Sequence, residues 1–285
     1  MIRRPTRPVK PAVRILAVAA ACAGLCVAQA AAAGALDLFY ERTLMMAAGE
    51  RCGLFQPPVA AALAAASAQA RSAALRAGEA EADISATRGR ALGRAQTVAC
   101  DSPDLSLAAG RVRTAFQGWA RVTKVVYPGA GGGWTADRSS YSSPTWRLVA
   151  ASGSQVSFGL AGARGGADLT ATVSGGEAPY AARLRFRDPG RDREAWLPRP
   201  GAALPPADCL RAVFAEDAGA ASPVLAHGGG VAFRFPASAA DAIAALDPRE
   251  RVAVEFLYRG DRVRTELFEV GDFAAGRAFI SAGRR

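Results

Sequence analysis

The stretch KVVYPGAGGGWTADRSSYSSPTW, residues Lys124 to Trp146, separates two halves of different texture. It holds Pro128, a glycine run from Gly129 to Gly133 broken only by Ala130, and serines from Ser139 to Ser143. That is loop and linker composition. Before it the chain is alanine-rich, with apolar residues spaced by three and four. After it the spacing moves toward two. The expected fold class is α+β: an N-terminal Ala-rich helical bundle over residues 34–121, a Gly/Ser-rich linker with aromatics over 122–145, and a mainly β domain with one short helix over 146–285.

On the N-terminal side, three helices are predicted over 36–51, 57–78 and 79–98. Pro57-Pro58 suits a first helical turn, and Gly78 is a stop signal. Glu79, Glu81 and Asp83 crowd the start of the third helix, where negative charge complements the helix dipole. A fourth helix starts near Ser102-Pro103-Asp104 and carries Leu105, Leu107, Val112, Phe116 and Trp119. An up-down-up path brings the end of the first helix and the end of the third to one pole. Cys52 and Cys100 sit at those ends and are the expected disulfide. It closes a loop of roughly 50 residues, worth about 4 kcal/mol in the chain-entropy model. Cys209 is left over and reads as a small buried hydrophobe.

The first 33 residues read differently. Arg3, Arg4, Arg7, Lys10 and Arg14 precede an apolar run from Ile15 to Val27, and Ala28-Gln29-Ala30 is followed by three more alanines. That order is a secretory signal, with cleavage near Ala30 to Ala33 and a mature chain starting near Ala31 or Gly34. A retained transmembrane anchor is the rival reading, since roughly 20 residues suffice to span. Gln29 and the dominance of alanine make that span a poor one, and no second candidate follows residue 36. A periplasmic or secreted location is expected. Of the net charge of +10, the leader supplies five basic residues and no acid, leaving 30 basic against 25 acidic residues, or +5. That balance is no nucleic-acid footprint.

On the C-terminal side, alternating segments predict strands around residues 146–149, 156–160, 169–173, 182–186, 213–214, 231–235, 252–256 and 265–268. Ser238 with Asp241 resembles a capping box before a short helix that ends at Asp247-Pro248. Gly260-Asp261 marks a hairpin. The stretch Val270 to Ile280 is predicted to return as a strand after a tight turn. Residues 182–193 align with 252–263, Val156-Ser157-Phe158 with Val231-Ala232-Phe233, and Arg147-Leu148-Val149 with Arg211-Ala212-Val213. Two tandem similar β units are one reading of this; chance similarity between alternating strands is the other.

Enzyme signatures are sparse. His227 is the single histidine. His227-Gly228-Gly229-Gly230 imitates an esterase oxyanion loop, but no G-x-S-x-G elbow accompanies it, so it reads as a loop. One histidine also excludes an H-E-x-x-H zinc site. The glycines at 129 to 133 lack the G-K-[ST] of a phosphate loop. Arg259-Gly260-Asp261 reads as a hairpin tip rather than an adhesion motif. Asp188, Asp192 and Glu194 share one Arg-rich loop, and Glu266, Glu269 and Asp272 lie near the C-terminus; only their spatial arrangement decides whether any two face each other as an acid/base pair. Neither a cofactor nor a metal is expected.

The binding candidate is aromatic. Trp119, Tyr127, Trp134, Tyr141 and Trp146 fall close together, with Phe116 just before them. They either line a groove for a sugar, peptide or protein partner, or pack the seam between the two halves. The expected function is an exported, non-catalytic binding or envelope-associated interaction protein, with an envelope protein or a cell-wall component as partner. The alternatives are an envelope hydrolase using an Asp/Glu pair on a glycan or peptide, and an accessory subunit held by an uncleaved leader.

Overall fold

The structure, a computed structural model, describes residues 16–129, 132–153, 155–163 and 166–282. The charged start of the expected leader, and Ala130 and Gly131 of the glycine run, lie outside the described residues. Among the described residues from Gly34 onward, no helix is long and apolar enough to cross a membrane.

Four helices come first: α1 (Leu16–Cys52), α2 (Pro57–Arg76), α3 (Glu81–Thr97) and α4 (Pro103–Ala120). Helix α1 starts earlier than its predicted core; α2 and α3 end and begin within two residues of prediction. Prolines open α2 and α4 in the first turn, where a missing N–H costs no helical bond. Glycine ends α1 and α2. Gly53 (φ 64°) and Gly78 (φ 102°) take the left-handed conformation. Leu54 N–H then reaches Gly49 O and Glu79 N–H reaches Ala74 O, the capping bonds that satisfy terminal carbonyls. Cys52 and Cys100 are joined, with Cα atoms 5.6 Å apart, so the ends of α1 and α3 do share a pole.

The second half is a sandwich of two antiparallel sheets. The larger contains β1 (Lys124–Tyr127), β2 (Trp134–Asp137), β3 (Thr145–Ser152), β4 (Val156–Gly162), β5 (Asp168–Val173), β8 (Asp217–Ala220) and β9 (Val231–Phe235). Their order is β1-β2-β3-β4-β5-β9-β8. The smaller contains β6 (Ala181–Arg187), β7 (Leu210–Phe214), β10 (Arg251–Leu257) and β11 (Val263–Glu269), in the order β11-β10-β6-β7. Phe158 meets Phe268 and Phe233 meets Phe256 across the layers, at 5.3 and 5.9 Å between ring centres. After β7 the chain changes sheet: Ala215 N–H bonds Ala182 O in one, and Glu216 N–H bonds Arg234 O in the other. That switch closes one side of the sandwich.

Two further helices belong to this half, α5 (Ala237–Ala245) and α6 (Phe273–Ser281). The second corrects the strand predicted over 270–280, and with it the expectation of a single helix. Gly271 turns the chain (φ 48°), and Phe273, Gly276, Phe279 and Ile280 then recur at helical spacing on one buried face. Their alanine neighbours favour helix over strand. Gly276 lies so near β3 that a Cβ there would stand 2.5 Å from Leu148 Cδ1. A second correction concerns residues 122–145. They are not only linker: β1 and β2 form a hairpin, with Tyr127 opposite Trp134, and β2 pairs with β3 in the larger sheet.

The aligned segments occupy unequal places. Strands β6 and β10 are antiparallel neighbours, with Val254 opposite Leu184. Strands β4 and β9 flank β5. Arg147-Leu148-Val149, however, lies in the larger sheet and Arg211-Ala212-Val213 in the smaller, so the topology does not repeat strand for strand.

Candidate functional site

The five aromatic candidates do not line one groove. Trp119, on α4, packs edge-on against Phe279 of α6 at 5.4 Å. The Arg138 guanidinium covers both rings, 4.0 Å from one centre and 4.3 Å from the other. Arg138 Nη2 also donates to Trp119 O at 2.5 Å. Trp119 therefore packs the seam between the halves. Trp134 is 3 % exposed; its Nε1 donates to Glu269 O and Val270 O, and its ring touches Phe158 and Phe273. Tyr127 is buried too, and its phenol is pushed up to about 12, first by burial and then by the negative charge of Asp272. Tyr141 is exposed beside Asp137 and Arg147. Trp146 lies apart, donating to Leu225 O at 3.0 Å.

Arginine also ties the halves together. Arg76 at the end of α2 donates to Asp272 Oδ2 at 2.8 Å, just before α6. Asp272 is 2 % exposed, and its other oxygen has no hydrogen-bond partner in the structure. Within the sandwich, Arg187 grips Glu250 with two bonds of 2.8 and 2.7 Å, and both side chains are buried. The hydrogen bonds that Arg187 donates to Glu250 raise its pKa above the ordinary value, against desolvation. Arg249 closes on Asp247 in the same turn. The Arg187–Glu250 and Arg249–Asp247 pairs use both carboxylate oxygens, whereas Asp272 uses one.

Of the acids named for hydrolysis, Asp188, Asp192 and Glu266 are engaged as well. Asp188 faces Arg191 at 3.6 Å, and Glu266 is held by Arg264 and by the Ser152 hydroxyl. Asp192 accepts the Glu194 N–H. One carboxylate pair escaped sequence reasoning: Asp168 and Asp217 line a shallow cavity of about 470 Å³ on the larger sheet. Arg234 stands between them, 3.8 and 3.0 Å away, and all three side chains are more than half exposed. No group of metal-ligating side chains gathers among the described residues. His227 lies in an exposed loop where Gly228 and Gly229 have φ of 77° and 82°. Arg259 to Asp261 is the tip of the β10–β11 hairpin. Cys209 is half-buried and unpaired, not fully buried.

A different feature stands out in the helical half. Helices α2 and α3 both pack on α1 but meet each other only sparsely. Between them lies a trough of about 760 Å³. Helix α1 contributes Phe39, Thr43 and Met46; α2 contributes Ala60, Leu63, Ala64 and Ser67; α3 contributes Leu92. Small residues at 60, 64 and 68 leave the space, because an alanine wall approaches closely without filling the volume beside it. Phe55 folds back over Gly49, where a Cβ would come within 2.5 Å of its ring. Thr43 and Ser67 share a hydroxyl bond of 3.3 Å. Arg71 and Arg88 line one end and Glu50 the other. Arg71 is paired with Glu81 at 3.0 Å, whereas Arg88 makes no ion pair among the described residues. The Cys52–Cys100 bond pins the α3 wall to α1. The signal for this trough was present in the sequence as Pro57, Ala60, Ala64, Ser67 and Arg71, a stripe spaced by three and four beside the face that packs.

No protein-family model, curated protein or solved structure matches the chain.

Proposed function

We propose that the protein is an exported, non-catalytic binding protein of the cell envelope, and that the trough between α1, α2 and α3 is its binding surface. The observation that carries the reading is the trough itself. Its volume falls within the range of small-molecule sites, roughly 300–1,000 Å³, and its walls are mostly apolar, with the bonded Thr43 and Ser67 hydroxyls midway and charged groups at the ends. Glu50 is its one carboxylate, so no acid/base pair is available inside it. Export rests on the leader pattern, and the disulfide is what an oxidising compartment permits.

Two measurements test this. The neutral fluorescent probe N-phenylnaphthylamine is expected to bind the mature protein saturably, and Ala60→Trp, which fills the trough from its exposed lip, is expected to abolish the signal without lowering the melting temperature. A folded protein that gives no saturable signal overturns the trough as binding surface. Osmotic shock is expected to release a chain whose first residue lies between Ala31 and Gly34; retention in the cytoplasm overturns export.

A further inference from the structure

We propose that the ligand of the trough is a free single-chain anionic amphiphile, a fatty-acid carboxylate, lying with its head at Arg88. The inference rests on the trough being the binding surface and adds the ligand's chemistry.

The trough runs beside α1 from Phe39 to Glu50, which at 1.5 Å per residue is about 16 Å. That is a length for a medium acyl chain laid along the helix, and Met46 and Leu92, 37 % and 41 % exposed at its lips, gain cover when the chain is in place. The two ends differ in charge. The Thr43–Ser67 hydroxyl bond fixes the antiparallel register of α1 and α2, so Arg71 lies level with Phe39. Arg88 comes from α3 at the same end, where Ile84 packs against Phe39. Of the two guanidinium groups lining this end, Arg71 is held by both oxygens of Glu81. Among the described residues Arg88 is the trough-lining cation without an ion pair, and its planar donors match a carboxylate. Glu50 at the far end repels an anion and fixes the orientation, head toward Arg88 and tail toward Phe55. The Ser67 and Thr43 hydroxyls already bond each other, so the middle of the trough makes no polar demand on the chain.

The test is displacement of N-phenylnaphthylamine from the delipidated mature protein by dodecanoate, dodecanol and dodecyltrimethylammonium. Dodecanoate is expected to displace at about a tenfold lower concentration than the alcohol, with the cation weakest. Arg88→Gln is expected to erase the difference while leaving dodecanol unchanged, and Arg88→Lys to restore part of it. Because Arg88 is exposed, neither change threatens the fold. Equal displacement by all three amphiphiles overturns the inference and leaves the binding reading standing. A preference that survives Arg88→Gln overturns it too, since the anion is then held elsewhere. Binding to phosphatidylglycerol vesicles without binding of free dodecanoate identifies a membrane surface as the occupant and also overturns it. Absence of probe binding removes both readings together.

Discussion

The sandwich fills its interior with rings, and the helical bundle fills its own with methyl groups. The largest fully buried side chains of the β half are Phe158, Phe186, Phe233, Phe256, Phe273 and Phe279; in the helices the fully buried positions are mostly Ala48, Ala74, Ala91 and Ala95, with Leu75 the large exception. Rings interdigitate across the sheets and leave little room. Alanine lets helix axes approach closely, but a wall of alanines does not reach sideways. Where a third helix does not close the gap, a trough remains. The contrast teaches where a ligand fits: in the half whose core is built by close approach rather than by interlocking volume.

The contrast breaks most sharply at Phe256. Truncation to alanine removes a ring from a fully buried position and is expected to cost about 3–5 kcal/mol, read as a shift of the urea midpoint at unchanged slope. A loss under about 1 kcal/mol would mean that the sandwich is as loosely filled as the bundle. The bundle depends instead on a covalent clamp. Replacing Cys52 and Cys100 by serine is expected to cost about 2–4 kcal/mol and to flatten the fluorescent-probe signal of the trough, because the α3 wall loses its anchor. An unchanged midpoint would show that helix packing alone sets the wall.

The seam between the halves is expected to be alkali-sensitive. Tyr127 titrates at about 12 in the folded chain against about 10 when unfolded, so between those values the unfolded state sheds a proton that the folded state keeps. Stability is therefore fully present below pH 10 and falls as pH rises toward 12, by up to about 2–3 kcal/mol. Tyr127→Phe should remove that slope; a slope that persists in the variant assigns it to another group.

Sequence alone carried much of the bundle and less of the seam. Pro57, Gly78 and Pro103 bound their helices because each acts through its own backbone conformation, which needs no distant partner. The disulfide followed from helix order alone. Helix α6 did not, since Phe273, Gly276 and Phe279 fit a buried strand or helix until Leu148 is known to lie beneath Gly276. Strands β1 and β2 were hidden by the glycines between them, which look like linker whether or not the flanking Val125 and Trp134 pair into a sheet. The aromatic candidates were read from proximity along the chain, yet Trp134 and Trp146 are consigned to different surroundings by strand register and loop packing. The trough needs three helices at once, and only its α2 stripe is local.

The smallest effect is also the sharpest comparison, because it adds atoms instead of removing them. Gly276→Ala and Ala60→Leu both enlarge a helical residue facing a neighbour. At Gly276 the new methyl stands 2.5 Å from Leu148 Cδ1 and 3.3 Å from Cδ2 of a side chain that is itself fully buried. Leu148 is fully buried, so overpacking of about 1–3 kcal/mol is expected to outweigh the gain of up to about 1 kcal/mol in helix propensity. At Ala60 the larger side chain enters the open trough, touches apolar walls and is expected to leave the melting midpoint within about 0.5 kcal/mol of the parent. The pair is measured side by side by thermal unfolding. If Gly276→Ala is neutral, α6 can shift on its sheet and the sandwich is softer than its rings imply. If Ala60→Leu destabilises as strongly as Gly276→Ala, the α1–α2–α3 gap is closed in solution, and a bundle built on alanine is as tightly filled as a sandwich built on phenylalanine.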